Sequence, residues 1–139
     1  MGASTFRVNG WADVATASAT YISYCFHSVD GYSKVGSYTG NGSTDGTFVH
    51  CGFRPAYVMV KVTNVTDSWF INDNKRDSYN VVDEQLKANS SDAEATNRGI
   101  DFVSNGFKIR DASTSHNASG NTYIFYAVAE SPFKNSNAR

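Results

Sequence analysis

IDFVSNGFKIR, residues 100–110, is the stretch that decides the fold. Two runs that alternate apolar and polar side chains, residues 100–104 and 107–110, are separated only by Asn105 and Gly106. Alternation with a period of two is typical of a strand with one buried face, and a two-residue Asn-Gly link is the strongest short-range signal for a β-hairpin. The stretch therefore predicts two antiparallel strands joined by a tight turn.

Similar strand candidates recur at short intervals along the rest of the chain. They are residues 20–26, 34–39, 47–51, 56–64, 68–72 and 121–129. Turn dipeptides such as Asp30-Gly31 and Asn41-Gly42 separate them. Seven or eight short strands with few helical segments favour an all-β fold, and we expect an antiparallel two-sheet β-sandwich of the jelly-roll type instead of a barrel.

Residues 80–99 are the exception to this pattern. The segment has few large apolar side chains and includes Glu84, Leu86 and Ala88, which favour helix. A connection of this length inside a compact domain is either functional or folded as a compact surface loop. We expect one long loop that holds a helical turn.

The composition supports a single β domain. The chain has 139 residues, of which 40% are hydrophobic, 14% aromatic and only 18% charged. A chain of this length fits one core, so residues 1–139 are expected to form one domain. The polar share is carried by Ser, Thr, Asn and Gly, which suit strands joined by tight turns.

Charge and hydropathy argue against nucleic acid and membrane as partners. Twelve basic and thirteen acidic residues give a net charge of −1, which leaves no excess to neutralise phosphates. No apolar run approaches the roughly 18 residues that span a bilayer. The start of the chain, MGASTFRVNGW, lacks the basic and apolar regions of a signal peptide.

An internal similarity suggests a repeated unit. Residues 6–11 and 20–24 parallel residues 102–107 and 122–126, because both pairs place an aromatic-flanked Asn-Gly hairpin before a TYxxY strand. Repetition of a supersecondary unit is the sequence signature of tandem arrays. Residues 1–30 are therefore interpreted as the tail of a preceding tandem unit, with chance similarity between two hairpins as the alternative.

The two cysteines do not imply a disulfide framework. Cys25 and Cys51 each lie inside an apolar, strand-like run. Two isolated cysteines usually behave as small buried hydrophobes, and this is the expectation for both. A single bridge between neighbouring strands is the open alternative.

Catalytic and metal-binding patterns are weak. His27, His50 and His116 lie in or beside turns and strands, and no sharpened nucleophile motif accompanies them. We therefore expect no enzyme, no catalytic residue and no cofactor. No HxxxH or CxxC spacing predicts a metal site. Oxygen ligands for Ca²⁺ exist as a minor alternative at Asp73, Asn74 and Asp77, or at Asp45 with Asn41, although Asn and Asp in such loops usually cap turns.

Residues 69–79, WFINDNKRDSY, hold the candidate ligand-binding residues. Saccharide sites pair an aromatic face with polar groups that reach the hydroxyls of the sugar. The candidate residues for binding a glycan are Trp69, Asp73, Asn74, Arg76, Asp77 and Tyr79. The alternative is that Trp69 and Tyr79 are core aromatics and that Arg76 pairs with Asp77.

Much of the chain resembles a known but poorly characterised domain. The resemblance is carried by YCFHSVDGYSKVGSYTGNGSTDGTFVHCGFRPAYVMVK (residues 24–61), WFINDNKRDSYNVVDEQLKANSS (69–91), IDFVSNGFKIRD (100–111) and NASGNTYIFYAVAESPF (117–133). These segments are similar to a domain that recurs in structural and tail-fibre-like proteins of marine bacteriophages. That domain occurs sometimes in tandem and often beside a concanavalin-like lectin sandwich.

The resemblance implies a non-enzymatic virion module. A tail-fibre or adhesin module would attach to a host-surface glycan, and the alternative is a capsid decoration or cement protein that contacts other virion proteins. Either would lie on the virion surface, outside the cell after lysis. Fibre proteins are commonly trimeric, so a homotrimer is one expected assembly. A hydrolase acting on surface polysaccharide is the remaining, least favoured hypothesis.

Overall fold

The computed structural model describes residues 5–133. In this range the chain forms one short helix and eight strands. The helix α1 is Ala12–Ala15, and the strands are β1 Ser33–Thr39, β2 Phe48–His50, β3 Pro55–Val62, β4 Phe70–Asp73, β5 Val82–Lys87, β6 Ala95–Val103, β7 Gly106–Ile109 and β8 Thr122–Ala129. The all-β prediction is thereby confirmed.

The eight strands form one continuous antiparallel sheet, in the order β1-β8-β3-β4-β5-β6-β7-β2. The ring of Tyr38 on β1 lies 6.2 Å from that of Phe107 on β7, so the sheet curls until its two ends nearly close a barrel. The antiparallel prediction is confirmed, but the prediction of two separate sheets is wrong. Alternation along a strand shows which face is buried and does not show which strand lies beside it.

The core fills the inside of this curled sheet. Strand β3 shows the alternation most clearly, because Val58, Val60 and Val62 are fully buried while the residues between them are partly exposed. On β8 the inward residues Tyr123 and Phe125 are buried in the same way. Every second residue of a strand thus belongs to the core, and the others form the outer face of the sheet.

The Asn-Gly hairpin is present, with its turn shifted by one residue. Val103 pairs with Gly106 across β6 and β7, so the two turn residues are Ser104 and Asn105. Gly106 is instead the first residue of β7, where a Cβ would lie 2.0 Å from the carbonyl oxygen of Val49. Glycine is needed here because the backbone of the neighbouring chain segment approaches so closely.

Two strand predictions near the N-terminus are wrong. Residues 20–26 and the expected hairpin at residues 6–11 contain no strand, and side chains such as Ile22 and Tyr24 are 78% and 79% exposed. The place that a TYxxY strand occupies in this sheet, between β1 and β3, is already filled by β8. The tandem interpretation of residues 1–30 stays a prediction.

The helical turn predicted in residues 80–99 is also absent from this segment. Its first half contains β5, and its second half begins β6. Val82 and Gln85 on β5 are both buried, so the segment is held by inward-facing side chains and strand pairing. Tertiary pairing overrides the local helix propensity of Glu84, Leu86 and Ala88.

The outer edge of β1 is capped by nearby side chains and backbone. The Ser28 hydroxyl accepts a hydrogen bond from the Val35 amide at 3.0 Å and donates to the Val35 carbonyl at 3.3 Å. Val29 and Ser33 exchange two backbone hydrogen bonds of 2.9 Å. At the far end, the Thr47 hydroxyl donates to the Thr39 carbonyl at 2.9 Å.

Both cysteines are free thiols. Cys51 is buried as predicted, and burial raises the pKa of its thiol to about 12. Cys25 is exposed, so the prediction of burial is wrong for this residue. It lies in the N-terminal segment that has no place in the sheet.

Candidate functional site

The outer face of the sheet carries a row of apolar side chains that crosses five strands. In direct cross-strand register, Val35 on β1 pairs with Tyr126 on β8, Tyr126 with Met59 on β3, Met59 with Ile71 on β4, and Ile71 with Leu86 on β5. Paired residues on one face of a sheet have neighbouring Cβ atoms. The row is therefore a continuous apolar stripe on the outside of the fold.

An open groove lies beside this stripe, between the sheet and the N-terminal segment. Its volume is about 320 Å³, and its lining is entirely aromatic or aliphatic apart from Gly36. Tyr24 and Phe26 form the N-terminal wall, and the ring of Phe26 lies 4.5 Å from that of Tyr126. Trp69 lines the same groove and is half-buried.

Asp73 and Arg76 lie together, but they bind each other. Arg76 Nε donates to Asp73 Oδ2 at 2.7 Å, and Arg76 Nη1 donates to Glu94 at 2.6 Å. Asp73 Oδ1 accepts from the backbone amides of Lys75 and Arg76. Partial burial raises the pKa of Asp73, but these hydrogen bonds outweigh it and hold the pKa below its usual value.

The remaining predicted polar residues also have internal partners. Asn74 is buried and donates from Nδ2 to Glu130 at 2.7 Å. Asp77 Oδ2 accepts from the backbone amides of Asp83 and Glu84, at 2.7 and 3.3 Å, and so anchors the start of β5. Both side chains hold the 74–84 loop in place.

The six predicted residues therefore divide into separate groups. Trp69 faces the groove, whereas Asp73 lies four residues further along the same face, roughly 13 Å away. Tyr79 is 84% exposed, so the alternative of a core tyrosine is wrong. Arg76 pairs with Asp73 and Glu94, which replaces the expected pairing with Asp77.

Of the oxygen atoms considered as calcium ligands, Asn74 Oδ1 is buried without a hydrogen-bond partner, whereas the carboxylates of Asp73, Asp77 and Asp45 and the amide oxygen of Asn41 are engaged. Asp45 binds Lys108 Nζ at 2.5 Å, and this hydrogen bond lowers the pKa of Asp45. Asn41 Oδ1 accepts from the Ser43 amide at 3.0 Å and from Asn117 Nδ2 at 2.8 Å. Within residues 5–133, no group of three or more His, Cys, Asp or Glu side chains is arranged to hold a metal ion.

A buried polar cluster around His116 was missed by sequence reasoning. His116 is fully buried, with its Nε2 atom 3.1 Å from Gln85 Nε2 and its ring 5.2 Å from that of Phe70. The Gln85 amide donates to Nε2, which assigns the imidazole proton to Nδ1. Nδ1 faces Asp111 Oδ2 at 3.7 Å. Burial lowers the pKa of His116 from 6.5 to about 4.

Asn117 joins two loops beside this cluster. Its Nδ2 donates to Asn41 Oδ1, to the Ser43 carbonyl and to the Asp111 carbonyl at 2.8, 2.7 and 3.1 Å. Its Oδ1 accepts from the Asn41 amide and the Thr47 hydroxyl. The asparagine is fully buried, so it fixes the 40–47 loop against residues 111–117. The turn-capping role expected for Asn-rich loops is what these contacts show.

The outer-face residues had a signal in the sequence that the site prediction did not use. Strand β8, TYIFYAVA, is apolar on both faces, because Ile124, Tyr126 and Val128 alternate with Tyr123 and Phe125. A strand with one solvated face would carry polar residues in those outward positions. Apolar residues on both faces indicate that each face of the strand packs against other apolar groups.

A family model described as Domain of unknown function (DUF7483) matches residues 1–132. The searches of curated proteins and of solved structures returned no match. In the described part of the chain, no helix combines the length and the apolar character that membrane crossing requires.

Proposed function

The chain belongs to the DUF7483 family, and on that premise we propose that it is a non-enzymatic module of a bacteriophage virion, of the tail-fibre or adhesin type, displayed on the virion surface. The resemblance to structural and tail-fibre-like phage proteins supports the proposal. The single observation that carries it is the apolar outer face, which offers a broad contact surface in place of an enclosed cleft. Such a surface suits binding or assembly.

Attachment to a host-surface glycan is the first form of this function. The groove supports it, because aromatic rings of Trp69, Phe26 and Tyr126 line one open space and can cover the apolar face of a sugar. Among the lining side chains, Tyr24 and Tyr126 carry hydroxyl groups and Trp69 carries an indole N–H, and these are the polar groups available to a sugar there. Asp73 and Arg76 would donate or accept hydrogen bonds to the sugar hydroxyls only after their mutual ion pair is broken.

Replacement of Trp69 tests glycan attachment. We expect Trp69→Ala to abolish binding to a glycan array and to change the thermal transition little, because the indole is half-buried and lies outside the core. Tyr79→Ala is the matched control, since Tyr79 lies outside the groove and is 84% exposed. Retained binding by Trp69→Ala would contradict this form of the function.

A structural role, as a capsid decoration or cement protein, is the second form. The observation that favours it is that the charged side chains predicted to read a glycan already have protein partners, while the exposed outer stripe is apolar. Apolar surface is what protein partners bury. A monomer that binds a defined sugar supports attachment, whereas a chain that associates or co-sediments with capsids supports assembly.

A further inference from the structure

We infer that the fold contains an internal binding site for one water molecule, held by Asp111 Oδ2, His116 Nδ1 and Ser113 Oγ. The inference rests on neither form of the proposed function. All three atoms are buried and have no hydrogen-bond partner within the protein, and they belong to one turn, residues 111–117. Buried polar atoms almost always have a partner, which is either another protein group or an ordered water.

The distance between two of these atoms fits a bridging molecule. Asp111 Oδ2 and His116 Nδ1 are 3.7 Å apart. A direct hydrogen bond between nitrogen and oxygen is about 2.7 to 3.2 Å long, so this pair is too far apart to form one. A single oxygen atom between them can lie about 2.8 Å from each, which is the arrangement of a water-mediated contact.

Other contacts hold both side chains at this separation. Asp111 Oδ1 accepts from the Ser113 amide at 2.8 Å, which fixes the carboxylate within the turn. On the opposite side of the imidazole, Gln85 Nε2 lies 3.1 Å from His116 Nε2, and the ring of Phe70 lies 5.2 Å from that of His116. Rotation of either side chain to close the gap would break one of these contacts. The pair therefore stays at the distance that a bridging molecule requires.

The donors and acceptors at the site select water over a metal ion. Because the Gln85 amide donates to Nε2 of His116, the Nδ1 atom carries the proton and has no lone pair to offer a metal. The ligand must therefore accept a hydrogen bond from Nδ1 and donate one to the Asp111 carboxylate. Water does both, whereas a cation does neither. The Ser113 hydroxyl can donate or accept, and it completes the three hydrogen bonds that are typical of a buried water.

The water would connect a surface turn with the inside of the sheet. His116 is fully buried there beside Gln85 of β5, while Asn117, the next residue, holds the 40–47 loop through Asn41 and the Ser43 carbonyl. A water that fixes the 111–117 turn against His116 therefore also helps to fix the 40–47 loop. We expect this water to be as much a part of the fold as the side chains around it.

A high-resolution crystal structure of the full chain tests the inference. We expect one fully occupied water about 2.6 to 3.2 Å from both Asp111 Oδ2 and His116 Nδ1. A direct hydrogen bond between these two atoms overturns the inference, and so does the finding of no density between them. Density about 2.0 to 2.2 Å from both atoms would identify a metal ion and overturns it as well.

Nuclear magnetic resonance tests the same site in solution. The Nδ1 proton of His116 should exchange slowly and show cross-relaxation with a long-lived water. Ser113→Ala should shorten the residence time of this water roughly fivefold, the factor for one lost hydrogen bond. Thr114→Ala is the matched control, because Thr114 lies in the same turn with an exposed side chain and its replacement should leave the residence time unchanged. A ring protonated at Nε2, or equal residence times in the two variants, overturns the site as assigned.

Discussion

His116 is the residue whose protonation state is most strongly affected by its surroundings. Its imidazole is neutral and fully buried, and the charged groups that act on it are Asp111, Asp67 and Arg98. Burial is the largest of these effects, because an imidazolium in the core would lose its hydration. Gln85 occupies the Nε2 atom of the ring, and Nδ1 lies 3.7 Å from Asp111 Oδ2, so neither Nδ1 nor Asp111 Oδ2 has a hydrogen-bond partner within the protein. The fold therefore depends on a histidine that stays uncharged.

This dependence predicts a loss of stability in mild acid. The unfolded chain takes up a proton on His116 near pH 6.5, and the folded chain resists it until about pH 4. Between these values the unfolded state binds more protons, so the free energy of unfolding falls as pH decreases, by at most about 1.4 kcal/mol per pH unit. Urea denaturation at intervals from pH 7 to pH 4 measures the slope.

Replacing His116 by Gln should lower the free energy of unfolding at pH 7 and flatten this slope, so that the difference from the wild type shrinks as the pH falls to 4. Carboxylates with lowered pKa values, such as Asp73 and Asp92, lose their contribution mainly below about pH 4, outside the window. An unchanged slope in the His116→Gln chain would show that other groups cause the acid sensitivity.

At the level of single elements, the β6–β7 hairpin depends on one close approach. Gly106 begins β7 and lies opposite His50 of β2, with no room for a side chain. Gly106→Ala should force the Val49 backbone away and cost at least about 2 kcal/mol, with β2 losing its pairing. Urea unfolding measures the change.

Gly10→Ala is the matched control for this substitution. A Cβ added at Gly10 would have no atom within 4 Å. Its replacement by Ala should therefore change the free energy of unfolding by less than about 0.5 kcal/mol. A Gly106→Ala chain as stable as the Gly10→Ala chain would contradict the requirement for close approach.

The elements that could be predicted are those whose alternation reflects one buried face. Residues 34–39 and 56–64 became β1 and β3 with small shifts of their ends. Residues 20–26 alternate equally well, but their pattern does not reveal that β8 already fills the matching place in the sheet. The helical turn predicted in residues 80–99 was wrong because pairing with β6, and not local helix propensity, determines the conformation of β5.

For the whole molecule, the N-terminal segment is separable from the core. Removing residues 1–26 deletes no buried side chain among the described residues and should lower the free energy of unfolding by no more than about 1 kcal/mol, the value of the Phe26–Tyr126 contact. Thermal or urea unfolding of the dilute chain measures it.

Removing residues 1–30 is the sharper comparison. This deletion also takes away the Ser28 hydroxyl and the Val29 backbone that cap β1. Four hydrogen bonds of this cap are lost, two of Ser28 with Val35 and two of Val29 with Ser33. At about 1 kcal/mol for each, a further loss of about 4 kcal/mol is expected. Equal stability of the two shortened chains would show that the cap contributes nothing.

The candidate site could be predicted only in part, because it depends on the relation between elements. The sequence around Trp69 predicted that its ring binds a ligand. The other rings of the groove, Phe26 and Tyr126, come from segments a hundred residues apart, and no local pattern connects them with Trp69. Asp73, Arg76 and Asp77 looked available because the sequence does not show Glu94 or the start of β5 beside them. Their role in glycan binding stays a prediction.

The cap on β1 limits the ways in which any partner can recognise this domain. Many β proteins bind a peptide by adding its backbone as an extra strand to an open edge, and this recognises extended chains of almost any sequence. At β1 the outward amide and carbonyl of Val35 and the carbonyl of Thr39 already have partners, so an incoming strand would have to displace them. An extended chain could therefore pair along the whole of β1 only by breaking these contacts, which favours partners that are recognised at that edge through the shape and chemistry of their side chains.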